Sequence, residues 1–263
     1  MSSPTTSEPT PGLAPASRET VIDLEEVSVC YRLPRERIVS IKDYVIRRLK
    51  GQLRFDEFWA LREVSLQVYK GETLGIIGHN GAGKSTLLKL VAQVLKPTAG
   101  RVRVRGRVAP LLALGAGFDG ELTGRENVHF NGTLLGSSEA DMRRHFDRIV
   151  DFAGIRDFID SPLRTYSTGM VARLGFAVAT DVQPDVLILD EILAVGDQEF
   201  QSRSAGRLEE LRERGDAILL VSHSLDAVTR LCHRVAWLDH GRLRAIGPPD
   251  DVIEQYKESA GGE

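Results

Sequence analysis

Cysteine is scarce in this 263-residue chain: Cys30 and Cys232 stand far apart and in no metal-ligand spacing. Their isolation removes a disulfide scaffold and a cysteine metal cluster, and it fits a reduced cytosolic protein. Long apolar runs are missing as well. No stretch approaches the roughly 18–20 uninterrupted apolar residues of a membrane span. The N-terminal residues lack the basic and apolar regions of a signal peptide. Any membrane role is therefore expected to run through a partner. Nor does one sign of charge dominate. The formal net charge of −3 gives no global attraction for nucleic acid, which is not among the expected partners. The rest is ordinary. With 42% hydrophobic and 27% charged residues, the chain can bury a sizeable core, as one large domain or as a core with a subdomain.

The stretch Gly78-His79-Asn80-Gly81-Ala82-Gly83-Lys84-Ser85-Thr86 organises the chain. It fits the phosphate-binding pattern G-x-x-x-x-G-K-[ST]. Residues 73–77 before it read as a short buried strand. Residues 86–95 after it carry Leu87, Leu88, Leu90, Val91 and Val94 at helical spacing. Glycines between a strand and a helix let the backbone wrap closely around a polyphosphate, with N–H groups converging on its oxygens. The helix N-terminus adds partial positive charge. Lys84 is placed to reach the outer phosphates, and the Ser85 hydroxyl to ligate Mg²⁺.

In chain order, residues 1–19 are rich in Ser, Thr and Pro and read as a disordered tail. Residues 21–31 read as a strand. From Arg35 to Lys50, the apolar residues Ile38, Ile41, Val45 and Leu49 fall on one helical stripe. Arg35, Arg37, Lys42, Arg47, Arg48, Lys50 and Arg54 outweigh Glu36 and Asp43. This is a basic amphipathic helix, suited to a membrane surface or a partner's helix, or else to packing on its own domain. Residues 60–69 resume strand character, residues 96–100 make a turn, and residues 101–108 alternate Arg with Val and Gly as one strand with a solvated face. Residues 119–165 form a helical region: a loop through Thr123 feeds a helix, and Met142, Phe146, Ile149 and Val150 line another over 141–152.

Tyr166-Ser167-Thr168-Gly169-Met170 precedes a helix over 171–180, and a Ser and a Gly at a helix start suit a second anion site. Residues 186–191 form an apolar run that ends in Asp190 and Glu191. Such a run reads as a central parallel strand whose C-terminal end faces ligands. Asp190 there suits Mg²⁺ coordination, and Glu191 suits orienting and polarising the attacking water. Residues 217–221 are another buried strand, ending at Ser222-His223-Ser224, where His223 is placed to contact a γ-phosphate.

Together these residues resemble the ATP-binding subunit of ABC transporters, over about residues 20–248. The phosphate loop, the Ser167-x-Gly169 signature, the Asp190-Glu191 pair, Asp197 and His223 occur in the family's order. Four details are similar to the branch that exports lipid-linked polysaccharides, including O-antigen, teichoic acid and mycobacterial galactan. They are the Tyr-Ser-Thr-Gly-Met signature, the segment Glu191-Ile192-Leu193-Ala194-Val195-Gly196-Asp197, the stretch Leu114-Gly115-Ala116-Gly117-Phe118 with the Glu121–Asn127 loop after it, and the basic insert after Tyr31. One feature departs. The glutamine that many members carry between phosphate loop and signature has no counterpart, since Gln93 falls inside the first helix.

The resemblance implies an α/β fold: a P-loop NTPase (RecA-like) core with an antiparallel β subdomain and an inserted α-helical subdomain. The expected layout is a tail at 1–19, the ATPase domain at 20–248 with the basic insert at 35–54 and the helical, signature-bearing part at 119–175, and a C-terminal helix and tail at 249–263. No further C-terminal carbohydrate-binding domain is expected. The implied cofactors are ATP and Mg²⁺. Gly78 through Thr86 hold the nucleotide, and Tyr31 stacks on adenine, with Phe58 and Trp59 as alternatives. Ser85 and Asp190 hold the metal, Lys84, Glu191 and His223 act in catalysis, and Asp197 completes the site. Ser167 and Gly169 cover the ATP of a second, head-to-tail copy. Two copies of a transmembrane permease, and a lipid-linked polysaccharide in its channel, are the implied partners, which puts the chain on the cytoplasmic face of the membrane. An uptake or drug-efflux ATPase, and a soluble ABC ATPase acting on ribosomes or DNA, are the other readings. The signature and insert count against the former, and the lack of paired cassettes or long coiled-coil inserts against the latter.

Overall fold

The computed structural model describes residues 19–34, 55–111, 117–190, 198–222 and 224–260. Apolar residues that alternate along buried strands divide these residues into three layers. The central layer is a six-stranded sheet in the order β5 (Val108–Leu111), β6 (Val186–Asp190), β7 (Ala217–Val221), β3 (Thr73–Ile77), β8 (Arg234–Asp239) and β9 (Arg242–Gly247). All neighbours pair in parallel except β9, which runs antiparallel to β8. Every residue of β3 and β7 is buried, as expected of parallel strands covered on both faces.

The two-residue period of a strand sends neighbours to opposite sides. Leu187 and Leu189 of β6 and Ile218 and Leu220 of β7 face a core built with helices α3 (Glu139–Ala153), α4 (Thr168–Asp181), α5 (Gln198–Glu213) and α7 (Pro249–Ala260). Val186, Ile188, Leu219 and Val221 face the other core. That second core is closed by helix α1 (Lys84–Val91) and by an antiparallel sheet of β2 (Phe55–Tyr69), β1 (Thr20–Pro34) and β4 (Ala99–Val104), in that order. In β2, Val64, Leu66 and Val68 are buried while Glu63, Ser65 and Gln67 are exposed, the alternation that pins its register against β1.

Helix α2 (Gly124–Leu134) begins with a capping box: Thr123 N–H donates to Glu126 at 2.8 Å, and Glu126 N–H donates to the Thr123 hydroxyl at 3.2 Å. It packs with α3 and α4 as a helical subdomain on the β5 side of the sheet. In α3 the buried residues include Met142, Phe146, Ile149 and Val150, the stripe read from the sequence. The short helix α6 (Leu225–Leu231) is capped by Ser224.

Three expectations need correction. Residues 101–108 are not one strand. The chain breaks at Gly106, φ 86°, where a β-carbon would stand 2.4 Å from Asp185, and passes from β4 in one sheet to β5 in the other. The solvated face of β4 is real: Arg101 pairs with Glu25, and Arg103 with Asp23 and Glu25. The turn at 96–100 is shorter than expected, because β4 already begins at Ala99. And α1 spans Lys84–Val91 rather than 86–95. Gln93, at φ 59°, has left the helix, Leu95 N–H turns back to the Lys89 carbonyl at 3.2 Å, and Val94 is 73% exposed instead of lying on a buried stripe. The basic helix at 35–54, the tail before residue 19, Leu114 to Ala116, Glu191, Asp197 and His223 lie outside the described residues.

Candidate functional site

The phosphate-loop residues leave the C-terminal end of β3, flanked in the sheet by β7 and β8. Two glycines make the loop's path feasible. Gly78 has φ 147°, and a β-carbon there would stand 2.1 Å from the Leu238 carbonyl oxygen. Gly83 has φ 105°, and a β-carbon would stand 2.6 Å from the Ala60 carbonyl oxygen. The loop is clamped from outside. Gly241 N–H, in the turn between β8 and β9, donates to the Ala82 carbonyl at 3.0 Å, and Arg62 N–H of β2 donates to the Gly241 carbonyl at 2.7 Å. Strand β2, the end of β8 and the turn after it thus hold one loop.

Lys84 is the first residue of α1 and is buried. Its ammonium donates to the Gly78 carbonyl at 2.7 Å and the His79 carbonyl at 3.0 Å, so it is folded into the loop it is expected to serve. Ser85 is exposed and Thr86 half-buried on the same first turn. Helix α1 has no capping side chain and no acid in that turn, so no carboxylate of its own occupies the positive end of its dipole.

Asp190 ends β6, half-buried, paired in register with Val221 of β7, which is in turn next to β3. Three strand ends therefore share one edge: the phosphate loop follows Ile77, Ser222 follows Val221, and Asp190 closes β6. In sequence Glu191 comes next after Asp190 and His223 next after Ser222, and both lie outside the described residues. Ser85 on the first turn of α1 and Asp190 at the end of β6, separated from β3 by β7, are oxygen donors of the kind a small hard cation takes.

Ser167 and Gly169 belong to another element. Ser167 is the exposed N-cap of α4, its hydroxyl accepting from Met170 N–H at 3.2 Å. Beneath it Tyr166 is buried, donating to the Phe158 carbonyl at 2.6 Å, which anchors the signature turn to the helical subdomain. Tyr31 pairs across β1 and β2 with Phe58, while Trp59 pairs with Cys30 and so takes the opposite face. Tyr31 packs half-buried on the core, and Phe58 beside it is 53% exposed. Cys232, buried against the core, has its thiol pushed up to about 12 by burial and is chemically quiet.

Sequence reasoning missed the turn Asp239-His240-Gly241, which touches the phosphate loop. A Gly after an apolar run was the available turn signal, but its contact with Ala82 spans the whole domain and leaves no local trace.

Comparison with known proteins agrees with this architecture. The family described as ABC transporter matches residues 61–194. An O-antigen export system ATP-binding protein of Klebsiella pneumoniae is 46% identical over 243 residues, 92% of this chain and 99% of that protein. A teichoic acids export ATP-binding protein of Enterococcus faecalis is 42% identical over 206 residues, 78% of this chain and 46% of that longer protein. Among solved structures, an ATP-binding subunit of an ABC transporter superposes with TM-score 0.73 at 24% identity, over 90% of this chain and 94% of that one. A dimeric ATP-binding cassette with bound ADP and phosphate superposes with TM-score 0.70 at 20% identity, over 87% and 98%. These structural likenesses carry the fold, a P-loop NTPase core with its β and α subdomains. With a clamped phosphate loop on the strand edge that also presents Asp190, the chain belongs to the ABC transporter family, as an ATP-binding and ATP-hydrolysing subunit.

Proposed function

We infer that this chain powers export of a lipid-linked polysaccharide across the cytoplasmic membrane through a separate transmembrane subunit. The observation that carries this reading is the 46% identity to an O-antigen export ATP-binding protein over nearly the full length of both chains. No helix among the described residues is long and apolar enough to cross a membrane. The channel is therefore assigned to the partner, in two copies, and this chain to its cytoplasmic face. No nucleic-acid partner is invoked.

In this reading the polyphosphate of ATP lies over Gly78 to Thr86, and Lys84 exchanges its two carbonyl partners for phosphate oxygens. Tyr31 stacks on adenine, with Phe58 beside it and Trp59 on the other face as alternatives. Ser85 and Asp190 hold Mg²⁺, which neutralises phosphate charge when bound. Glu191 orients the attacking water and takes up its proton, His223 touches the γ-phosphate, and Asp197 completes the site. Ser167 and Gly169 stand on a separate subdomain with Ser167 open to solvent, which suits closing over the nucleotide of a second, head-to-tail copy.

ATP turnover by purified protein tests the chemistry. Lys84→Ala should lose nucleotide binding and turnover together. Glu191→Gln should keep binding but slow turnover by about 10²–10⁴-fold, accumulating an ATP-loaded dimer. Near-normal hydrolysis by Glu191→Gln removes it as the base.

A further inference from the structure

The phosphate loop carries one side chain, the His79 imidazole, to which the nucleotide chemistry above gives no role of its own. His79 Nδ1 lies 2.6 Å from the Asn80 carbonyl oxygen, and its Nε2 lies 3.1 Å from Asp239 Oδ1. A carbonyl oxygen only accepts, so Nδ1 carries a proton. In the neutral ring Nε2 is then a bare lone pair, aimed at a carboxylate oxygen that also only accepts. The resulting repulsion is relieved in one of two ways, by a second ring proton that makes His79 an imidazolium donating to Asp239, or by a metal cation between the two atoms. His240 Nε2 approaches the same oxygen at 3.7 Å, and the two imidazole rings are 4.7 Å apart. All three ligand atoms lie within 4.8 Å of one another.

We propose that His79, Asp239 and His240 form a binding site for a transition-metal dication of the zinc class, separate from the Mg²⁺ position at Ser85 and Asp190. Bonds of about 2.0–2.1 Å in a tetrahedron put ligand atoms about 3.3 Å apart, close to the 3.1 and 3.7 Å of the two pairs that include Asp239, while the two histidine atoms lie within 4.8 Å. The backbone carbonyl on His79 Nδ1 is the outer partner that metal-bound histidines need to fix the tautomer and ring plane. Arg244 holds the other oxygen of Asp239 at 2.8–2.9 Å, steadying the carboxylate while leaving Oδ1 to the ion. Its charge opposes any dication, so the site calls for a metal that imidazole nitrogen binds strongly, zinc, nickel or copper rather than magnesium or calcium. Side-chain exposures of 42% for His79 and 80% for His240 leave room for water as a further ligand. His240 is held at φ 44°, a backbone state uncommon for a residue other than glycine, with its ring 4.7 Å from that of the loop's histidine. An ion here bridges the phosphate loop to the turn between β8 and β9. These residues are joined across 160 positions of chain, so the bridge also constrains the fold.

The test is titration of the nucleotide-free protein with Co²⁺, whose visible absorption reports nitrogen and oxygen ligation, followed by displacement with Zn²⁺. His240→Asn removes one imidazole with a residue that tolerates positive φ, and it leaves the nucleotide-binding residues intact, so its affinity for ATP with Mg²⁺ and no transition metal checks that it is folded. The wild type should bind one Co²⁺ at this site, released by Zn²⁺, and Zn²⁺ should raise its thermal midpoint. His240→Asn should bind at least about tenfold more weakly, the smallest loss seen on removing even an outer partner, and its midpoint should not respond. Equal Co²⁺ affinity in wild type and His240→Asn, or no Co²⁺ band in the wild type, overturns the site.

Discussion

Gly78 lies so close to Leu238 that a β-carbon on it would stand 2.1 Å from the Leu238 carbonyl oxygen. The first glycine of the phosphate loop is therefore fixed by the end of β8 as well as by the nucleotide it is meant to wrap. Neither strand can shift without the loop moving. Gly78→Ala combines that clash with φ 147° and should cost more than the roughly 1–3 kcal/mol of a strained backbone position. Gly81→Ala, where no atom lies within 4 Å of the added carbon, should cost only its positive φ. Urea denaturation of the two variants checks this. Equal stability would mean that β8 does not confine the loop.

A second prediction concerns the antiparallel sheet. Asp23 accepts hydrogen bonds from Gln67 at 3.1 Å and from Arg103 at 3.0 Å. The Gln67 bond, with Arg103's bond and charge, outweighs burial and holds the carboxyl below its ordinary value of 3.8. A depressed folded-state pKa gives stability that is full above the unfolded value and lost as pH falls through the folded one. Asp23→Asn should therefore be less stable than wild type at pH 7, with the gap closing as the pH drops below 3.8. A gap that does not change with pH would assign the effect to something other than the carboxylate's charge.

What could be read in advance followed from how local each signal is. Burial on both faces leaves unbroken apolar runs at 73–77 and 217–221, which mark these strands in the sequence with their observed bounds. The helical stripe of α3 was equally plain. The break at Gly106 was not, since Arg and Val alternate on both sides of it and only Asp185, brought in from the far end of a crossover, shows why the chain must turn. Strand β9, Arg-Leu-Arg-Ala-Ile-Gly, is an edge with little apolar pattern of its own. At the site, Lys84, Ser85 and Asp190 carried motif signals. The clamp from Gly241 and the cluster of His79 with Asp239 and His240 could not, because tertiary contact alone joins them.

Head-to-tail pairing makes its own prediction. Ser167→Cys and Asn80→Cys, each on an exposed residue, should crosslink between chains when ATP is bound to a dimer that cannot turn over. Crosslinks formed only within one chain would refute the shared site.

The basic segment can be tested apart from the nucleotide chemistry. Near an anionic leaflet or a lipid pyrophosphate, Arg47, Arg48 and Lys50 would each gain on the order of 1 kcal/mol, less with salt. Reversing all three to Glu should leave ATP affinity in solution unchanged and lower glycan export in cells at matched protein level. Unchanged export would remove the membrane-facing role from this segment.

The central claim is that ATP hydrolysis at this site drives polysaccharide to the cell surface. The most direct measurement is the amount of surface polysaccharide in cells whose own copy carries Glu191→Gln, with protein level and partner assembly held equal to wild type. The account predicts that surface polysaccharide is lost while lipid-linked glycan accumulates on the cytoplasmic side. Surface polysaccharide at the wild-type level would contradict it.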